Sequence, residues 1–149
     1  MKYIYVGFKG KNNPSFYIVS QFQESFFLTN SFGGIEKDIE NIKTSKDGIL
    51  LFGLKPKLKN QIQIELTSKY QNQKIKTGFD VSKLNLIFKE VEVVYHEKPS
   101  QYLCNYAYYK LLEKFNGNVI LIHVPFSKEY ADKIVLDLKN ELCIKNTLK

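Results

Sequence analysis

A cysteine and a histidine, each read at the end of a secondary-structure element, are the residues of this chain best suited to covalent chemistry. Cys104 stands in Ser100-Gln101-Tyr102-Leu103-Cys104-Asn105-Tyr106, and His123 in Ile122-His123-Val124-Pro125. A thiol beside an imidazole is a nucleophile with its base: the ring takes the thiol proton and the sulfur attacks a carbonyl. Helical spacing beginning at Tyr102 puts Cys104 in a first turn. There the unpaired backbone amides and the positive end of the helix dipole are expected to lower a thiol pKa. The same amides could hold a developing oxyanion. Spacing alone leaves a second reading open for each residue. A cysteine among aromatics also packs as a small hydrophobe, and a strand-end histidine can be structural.

Stepping outward, the chain alternates strands and helices. Lys2–Val6 reads as a buried strand ending at Gly7, followed by a loop over 8–14. Asn13-Pro14-Ser15 suits a helix start, with Asn13 as N-cap and Pro14 at the first helical position. Phe26-Phe27-Leu28 is a second strand. Gly33-Gly34 breaks the chain before an amphipathic helix through Ile35, Ile39 and Ile42. Ile49–Phe52 is a compact strand ending at Gly53. Gln61–Leu66 alternates strictly, the mark of a half-buried strand. Ser68–Thr77 reads as a polar, lysine-rich loop, and Asp80 as the N-cap of a helix carrying Val81, Leu84 and Phe88. Val91–Tyr95 is a strand, Tyr102–Phe115 a helix closed by Asn116-Gly117, and Val119–Val124 the most apolar strand. A last helix follows Pro125 and Ser127. The expected fold is α/β: a three-layer α/β/α sandwich with a mixed, mostly parallel twisted sheet, phosphorylase/hydrolase-like, in a single domain over residues 1–149. In such sheets sites gather at the carboxyl ends of strands, where His123 falls.

Composition narrows the function classes. The chain has 149 residues and a net charge of +7, and all 22 of its basic residues are lysine. Without arginine, forked recognition of guanine edges and phosphates is missing, and the lysines are scattered, so nucleic acid is not an expected partner. No apolar run approaches the roughly 20 residues of a membrane helix, and no secretory leader is recognisable, so a cytoplasmic location is expected. Cys104 and Cys143 are the only cysteines, and His96 and His123 the only histidines. Neither cysteine has metal spacing, so no metal and no cofactor is expected.

The same motifs carry a resemblance. Tyr102-Leu103-Cys104-Asn105 and His123-Val124-Pro125 resemble the nucleophile and base motifs of pyroglutamyl peptidase I, the pyrrolidone carboxyl peptidases, in the same order. Met1-Lys2 through Gly7-Phe8 is similar to that family's opening strand, and Asn13-Pro14-Ser15 to the start of its first helix. Gly53-Leu54-Lys55-Pro56 is similar to its Gly-Leu-Ala-Pro turn, Phe79–Leu84 to its Phe-Ser-Thr-x-Leu helix start, and Ile62-Gln63-Ile64-Glu65 to the strand bearing its third catalytic residue. The resemblance implies Cys104 as nucleophile, His123 as general base and acid, and Glu65 orienting the imidazole, as triad logic requires. It implies Phe8 and Asn13 as substrate-binding residues, and a peptide or small amide as substrate.

The departures lie in the specificity apparatus. The family's ring-binding loop continues Glu-Pro-Phe-Gly-Gly after Gly-Phe. Here Lys9-Gly10-Lys11-Asn12 follows Phe8 instead. The family arginine after the glutamate has no counterpart in 68–78, where only Lys69, Lys74 and Lys76 offer charge. Pro99-Ser100 replaces the family's Ala-Gly ahead of Tyr-Leu-Cys and bears on the oxyanion hole. The expected activity is that of a cysteine peptidase or amide hydrolase removing N-terminal pyroglutamate or a related acyl group. The alternative is a degenerate, non-catalytic relative acting as a binding module.

Overall fold

A computed structural model describes residues 2–43, 47–99 and 102–147. Thirteen elements are formed by the described residues. Strands β1 (Ile4–Phe8), β2 (Ser25–Leu28), β3 (Ile49–Leu54), β4 (Gln61–Glu65), β7 (Glu92–His96) and β8 (Val119–Val124) make one sheet in the order β2-β1-β3-β8-β4-β7. Every neighbouring pair in it is parallel except β4 with β8. Helices α1 (Pro14–Val19), α3 (Ser82–Ile87) and α5 (Lys128–Thr147) cover one face, where Ile18, Leu84 and Ile134 pack on Leu50, Phe52, Ile64 and Ile122. Helices α2 (Phe32–Ile39) and α4 (Tyr102–Lys114) cover the other, packing Ile35, Tyr106, Tyr108 and Leu111 on Val6, Leu51 and Leu121. The expected three-layer, mixed and mostly parallel α/β architecture is the observed one.

The central strands are apolar because both their faces are covered. Leu50, Leu51, Phe52, Ile120, Leu121 and Ile122 are all fully buried, as strands in the middle of a parallel sheet must be. Helix α1 starts as its sequence indicates. Asn13 is the N-cap, its Oδ1 accepts from Ser15 N at 2.9 Å, and Pro14 follows where no intrahelical N–H is lost. Chain direction reverses after α4 through Asn116 and Gly117, both at positive φ.

Three expectations are corrected. Gly33-Gly34 does not break the chain; both lie inside α2, whose N-cap Ser31 accepts from Gly34 N at 3.0 Å. Gly34 is glycine for space, since a Cβ there would stand 2.6 Å from Thr29 Cβ. The segment read as a polar loop is a hairpin, β5 (Thr67–Tyr70) and β6 (Gln73–Lys76), turning through Gln71 and Asn72 at φ 49° and 65°. That pair of left-handed residues suits the twist of a two-residue hairpin turn. Asp80 does bond Ser82 N, at 3.1 Å, but the N-cap of α3 is Val81, one residue later.

The hairpin is fastened to the start of α4. Asn105, buried, accepts from Ser68 Oγ at 2.7 Å and Lys69 N at 3.2 Å, and its Nδ2 donates to Lys69 O at 2.6 Å. Tyr70 packs its ring on Tyr106 and Tyr109 of α4. Asn105→Ala strands several of these polar groups away from water, and is expected to cost about 2–3 kcal/mol. Urea unfolding checks this; an unchanged midpoint would show that the fastening carries no stability.

Candidate active site

Side-chain alternation brings residues from four strands to one face. Leu51, Val119 and Leu121 belong to the core beneath α4, so Gly53 and His123, two residues on, project to the same side. Ile62 and Ile64 face the opposite layer, which sends Gln63 and Glu65 toward α4 as well. His96 joins them from β7, where it pairs in register with Glu65. Gly53 pairs with His123 and Glu65 with His96, while His123 stands opposite Gln63 and diagonal to Glu65, so the four form a stepped row across β3-β8-β4-β7, and α4 places Cys104 above Gly53.

Glycine at 53 is what lets the sulfur down onto the sheet. A Cβ there would stand 2.7 Å from Cys104 Sγ and 3.5 Å from His123 Nδ1. Thiol and imidazole thus converge on one empty side-chain position. His123 Nε2 points the other way and lies 3.4 Å from Glu65 Oε1. That contact is longer than a hydrogen bond, and neither ring nitrogen of His123 completes one. The expected trio of Cys104, His123 and Glu65 is brought together.

Glu65 is not the half-exposed strand carboxylate that strict alternation suggests. It is fully buried, and Gln63 beside it is buried too. The polar face of β4 is covered by α4 and carries the site. Gln63 Nε2 donates to Glu65 Oε1 at 2.7 Å, and Tyr108 Oη donates to the Glu65 carbonyl at 2.7 Å. His96 Nδ1 lies 3.0 Å from Oε2. The sequence alone marks neither Gln63 nor His96 as a site residue. The signal was there in part, since positions 63 and 65 share a face, but only the parallel pairing of β4 with β7 brings His96 to Glu65.

The electrostatics correct one expectation. Burial first, and the charge of Glu65 second, push the Cys104 thiol up to about 12 rather than lowering it. Desolvation of a thiolate outweighs the helix amides here. Burial also lowers His123 to about 4, against the opposing pull of Glu65, with Lys55 lowering it further. At neutral pH the resting pair is a thiol and a neutral imidazole. A histidine held neutral in the fold but protonated when unfolded stabilises the fold fully above about pH 6.5. That contribution is lost as pH falls toward about 4, and amounts to roughly 3 kcal/mol. Urea unfolding at pH 7.5 and 4.5 should show this loss, and His123→Asn should lack that share of it. An equal pH dependence in both proteins would refute the assignment.

Two cavities meet at Cys104. One, of about 330 Å³, is lined by Phe8, Asn13, Phe32, Leu54, Tyr102 and Leu103 among others. The second, of about 410 Å³, is lined by Lys55, Lys57, Pro99, Tyr102 and His123. Phe8 and Asn13, the expected substrate-binding residues, therefore share a cavity with the cysteine. Lys69, Lys74 and Lys76 line neither; the lysines beside the site are Lys55 and Lys57. Tyr102, exposed and at φ 77°, stands between the cavities. A non-glycine residue in that region is strained, and such strain concentrates at sites of function. Ser100 and Gln101, and with them the expected effect of Ser100 on an oxyanion hole, lie outside the described residues. Cys143 falls within α5, away from the row in sequence. Among the described residues no group of three or more His, Cys, Asp or Glu is arranged to hold a metal ion, and no helix is long and apolar enough to cross a membrane.

No family model and no curated protein matches the sequence. Solved structures do. A mutant pyrrolidone carboxyl peptidase from Pyrococcus furiosus matches with a TM-score of 0.71 at 18% identity, over 93% of this chain and 95% of that one. The fold is that of the pyrrolidone carboxyl peptidases. The enzyme from Thermococcus litoralis gives a TM-score of 0.68 at 16% identity, over 98% of this chain and 96% of that one. An MTAN from Chlamydia trachomatis is similar at a lower level, with a TM-score of 0.55 and 10% identity over 99% and 98% of the two chains. The pyrrolidone carboxyl peptidase fold thus accounts for nearly the full described chain.

Proposed function

We propose that this chain is a cysteine hydrolase of amide bonds, acting on N-terminal pyroglutamate or a related N-terminal acyl group. The carrying observation is the convergence of Cys104 Sγ and His123 Nδ1 over Gly53, with Nε2 turned to the buried Glu65. On substrate binding, Nδ1 takes the thiol proton as Sγ bonds to the carbonyl carbon. Because the resting thiol lies near 12, proton transfer and attack are coupled rather than preceded by a stable thiolate. The oxyanion faces the unpaired first-turn amides of α4. His123 then gives its proton to the leaving nitrogen as the C–N bond breaks, leaving a thioester. Water, deprotonated by the same imidazole, releases the acid and restores the thiol. Glu65 steadies the transient imidazolium.

The two cavities divide the substrate. Phe8, Phe32 and Leu54 offer apolar walls to the acyl group, and Asn13, whose Oδ1 is committed to capping α1, has its amide nitrogen left to donate. Lys55 and Lys57 line the other side, which suits a leaving portion that carries negative charge. Reporters releasing aminocoumarin from pyroglutamyl and from open-chain N-acyl groups test the proposal. Release that saturates with substrate is expected, and no release from any of them would overturn it. One observation favours a second reading, a non-catalytic binding module: the unbonded His123 beside a thiol raised by burial. Saturable binding of pyroglutamyl peptide without turnover would favour that module.

A further inference from the structure

His96 sits beyond Cys104 and His123, on the Glu65 carboxylate that faces the imidazole. Its Nδ1 lies 3.0 Å from Glu65 Oε2, while Oε1 takes Gln63 Nε2 at 2.7 Å and faces His123 Nε2 at 3.4 Å. The Glu65 side chain is 1% exposed, whereas that of His96 is 39% exposed. We propose that His96 is a positioning residue of this site: its Nδ1–H holds Oε2 so that Oε1 is aimed at His123, and it draws off part of the carboxylate's charge.

The argument is one of donors and aim. A buried ionised carboxylate accepts only, and each oxygen left without a donor costs its full desolvation. Tyr108 serves the Glu65 carbonyl, so the backbone is fixed without constraining the carboxylate. Gln63 alone bonds only Oε1. With Oε2 unbonded, the carboxylate is free to turn about its last torsion, and Oε1 loses its direction. Register supplies the second anchor: Glu65 and His96 end β4 and β7 as direct partners, and Leu66 N bonds His96 O at 2.9 Å, which fixes the two backbones side by side. A hydrogen bond to a carboxylate also weakens the field it exerts elsewhere. Glu65 raises the pKa of His123, and His96 lowers it. Both effects of His96 therefore act on how readily His123 takes the thiol proton.

This inference rests on the hydrolase reading for its kinetic consequence but not for its structural one. His96→Ala removes the donor; His96→Asn keeps an N–H near the place of Nδ1; His96→Gln carries its N–H farther out. In His96→Ala we expect kcat on the aminocoumarin reporter to fall roughly tenfold or more with KM within about twofold. The pH titration of His123, followed by its ring proton resonances, should move to higher pH. His96→Asn should restore both, and His96→Gln should not. Should His96→Ala fail to fold, the comparison of the Asn and Gln variants still decides, because both are polar and only one places its donor correctly. Equal kcat and equal His123 titration in all variants would overturn the proposal. So would loss of melting temperature alone, with the His123 titration unmoved. If the wild type turns over no reporter, the hydrolase reading fails, yet the His123 titration remains a complete test of whether His96 positions the pair.

Discussion

Cys104→Ala is expected to cut reporter hydrolysis by at least about a thousandfold while leaving the fold unchanged. Among the described residues no second thiol and no serine or threonine hydroxyl lines the cavities at Cys104, so nothing there replaces the sulfur in forming a thioester. The stability cost is small, because the substitution removes a single sulfur atom and Cys104 packs at the margin of the core under α4. Initial rates at saturating reporter, paired with a thermal melt, measure both. Unaltered hydrolysis in the variant would end the proposal that Cys104 is the nucleophile. Cys104→Ser makes a finer comparison, since a hydroxyl fits the same space but gives a less nucleophilic attacking atom.

Gly53→Ala is expected to be the next most damaging change although it adds one methyl group. That methyl would stand 2.7 Å from Cys104 Sγ and 3.5 Å from both Cys104 Cβ and His123 Nδ1. Something must shift, and β3, held here by its pairing of Gly53 with His123 on β8, cannot give without moving the imidazole too. Either the cysteine swings to another rotamer or the first turn of α4 lifts off the sheet. Both separate sulfur from imidazole, and misplacement by about 1 Å costs on the order of a hundredfold in rate. Overpacking should add roughly 1–3 kcal/mol of destabilisation. Gly33→Ala is the control: nothing lies within 4 Å of a Cβ there, and it sits in a helix, where alanine is favoured. Wild-type kcat in Gly53→Ala would show that the approach of Cys104 to β3 is irrelevant to catalysis.

How much of this was legible in the sequence depends on where each signal came from. Val119–Val124 is read to the residue, because both faces of a central strand are buried and the apolar run is unbroken. Asn13-Pro14 is read correctly because capping is local chemistry. Periodicity misled where tertiary structure covers a polar face. In β4, Gln63 and Glu65 look like solvent positions but are buried under α4 as the polar lining of the site. The lysines of 68–77 hid a hairpin, since Lys69, Lys74 and Lys76 read as loop composition while Ser68, on the opposite face, is buried against Asn105. Helix position alone predicts a lowered thiol pKa, whereas the pKa is governed by burial that only packing reveals. His96 was invisible as a partner of Glu65 because 31 residues separate them and only strand register joins them.

The placement of β8 has a consequence for the order in which this chain can fold. β2, β1 and β3 form one side of the sheet, β4 and β7 the other, and β8 alone joins them by pairing β3 on one edge and β4 on the other. It is also the last strand in the sequence. During synthesis, domains assemble as their chain emerges, and distant pairings wait on loop closure. The two half-sheets therefore have no strand pairing between them until residues 119–124 are made. Until then Gly53 and Glu65 belong to separate fragments, and Cys104 has no imidazole beside it. The strand that closes the sheet delivers His123 in the same step, so thiol and imidazole come together only as the sheet is completed.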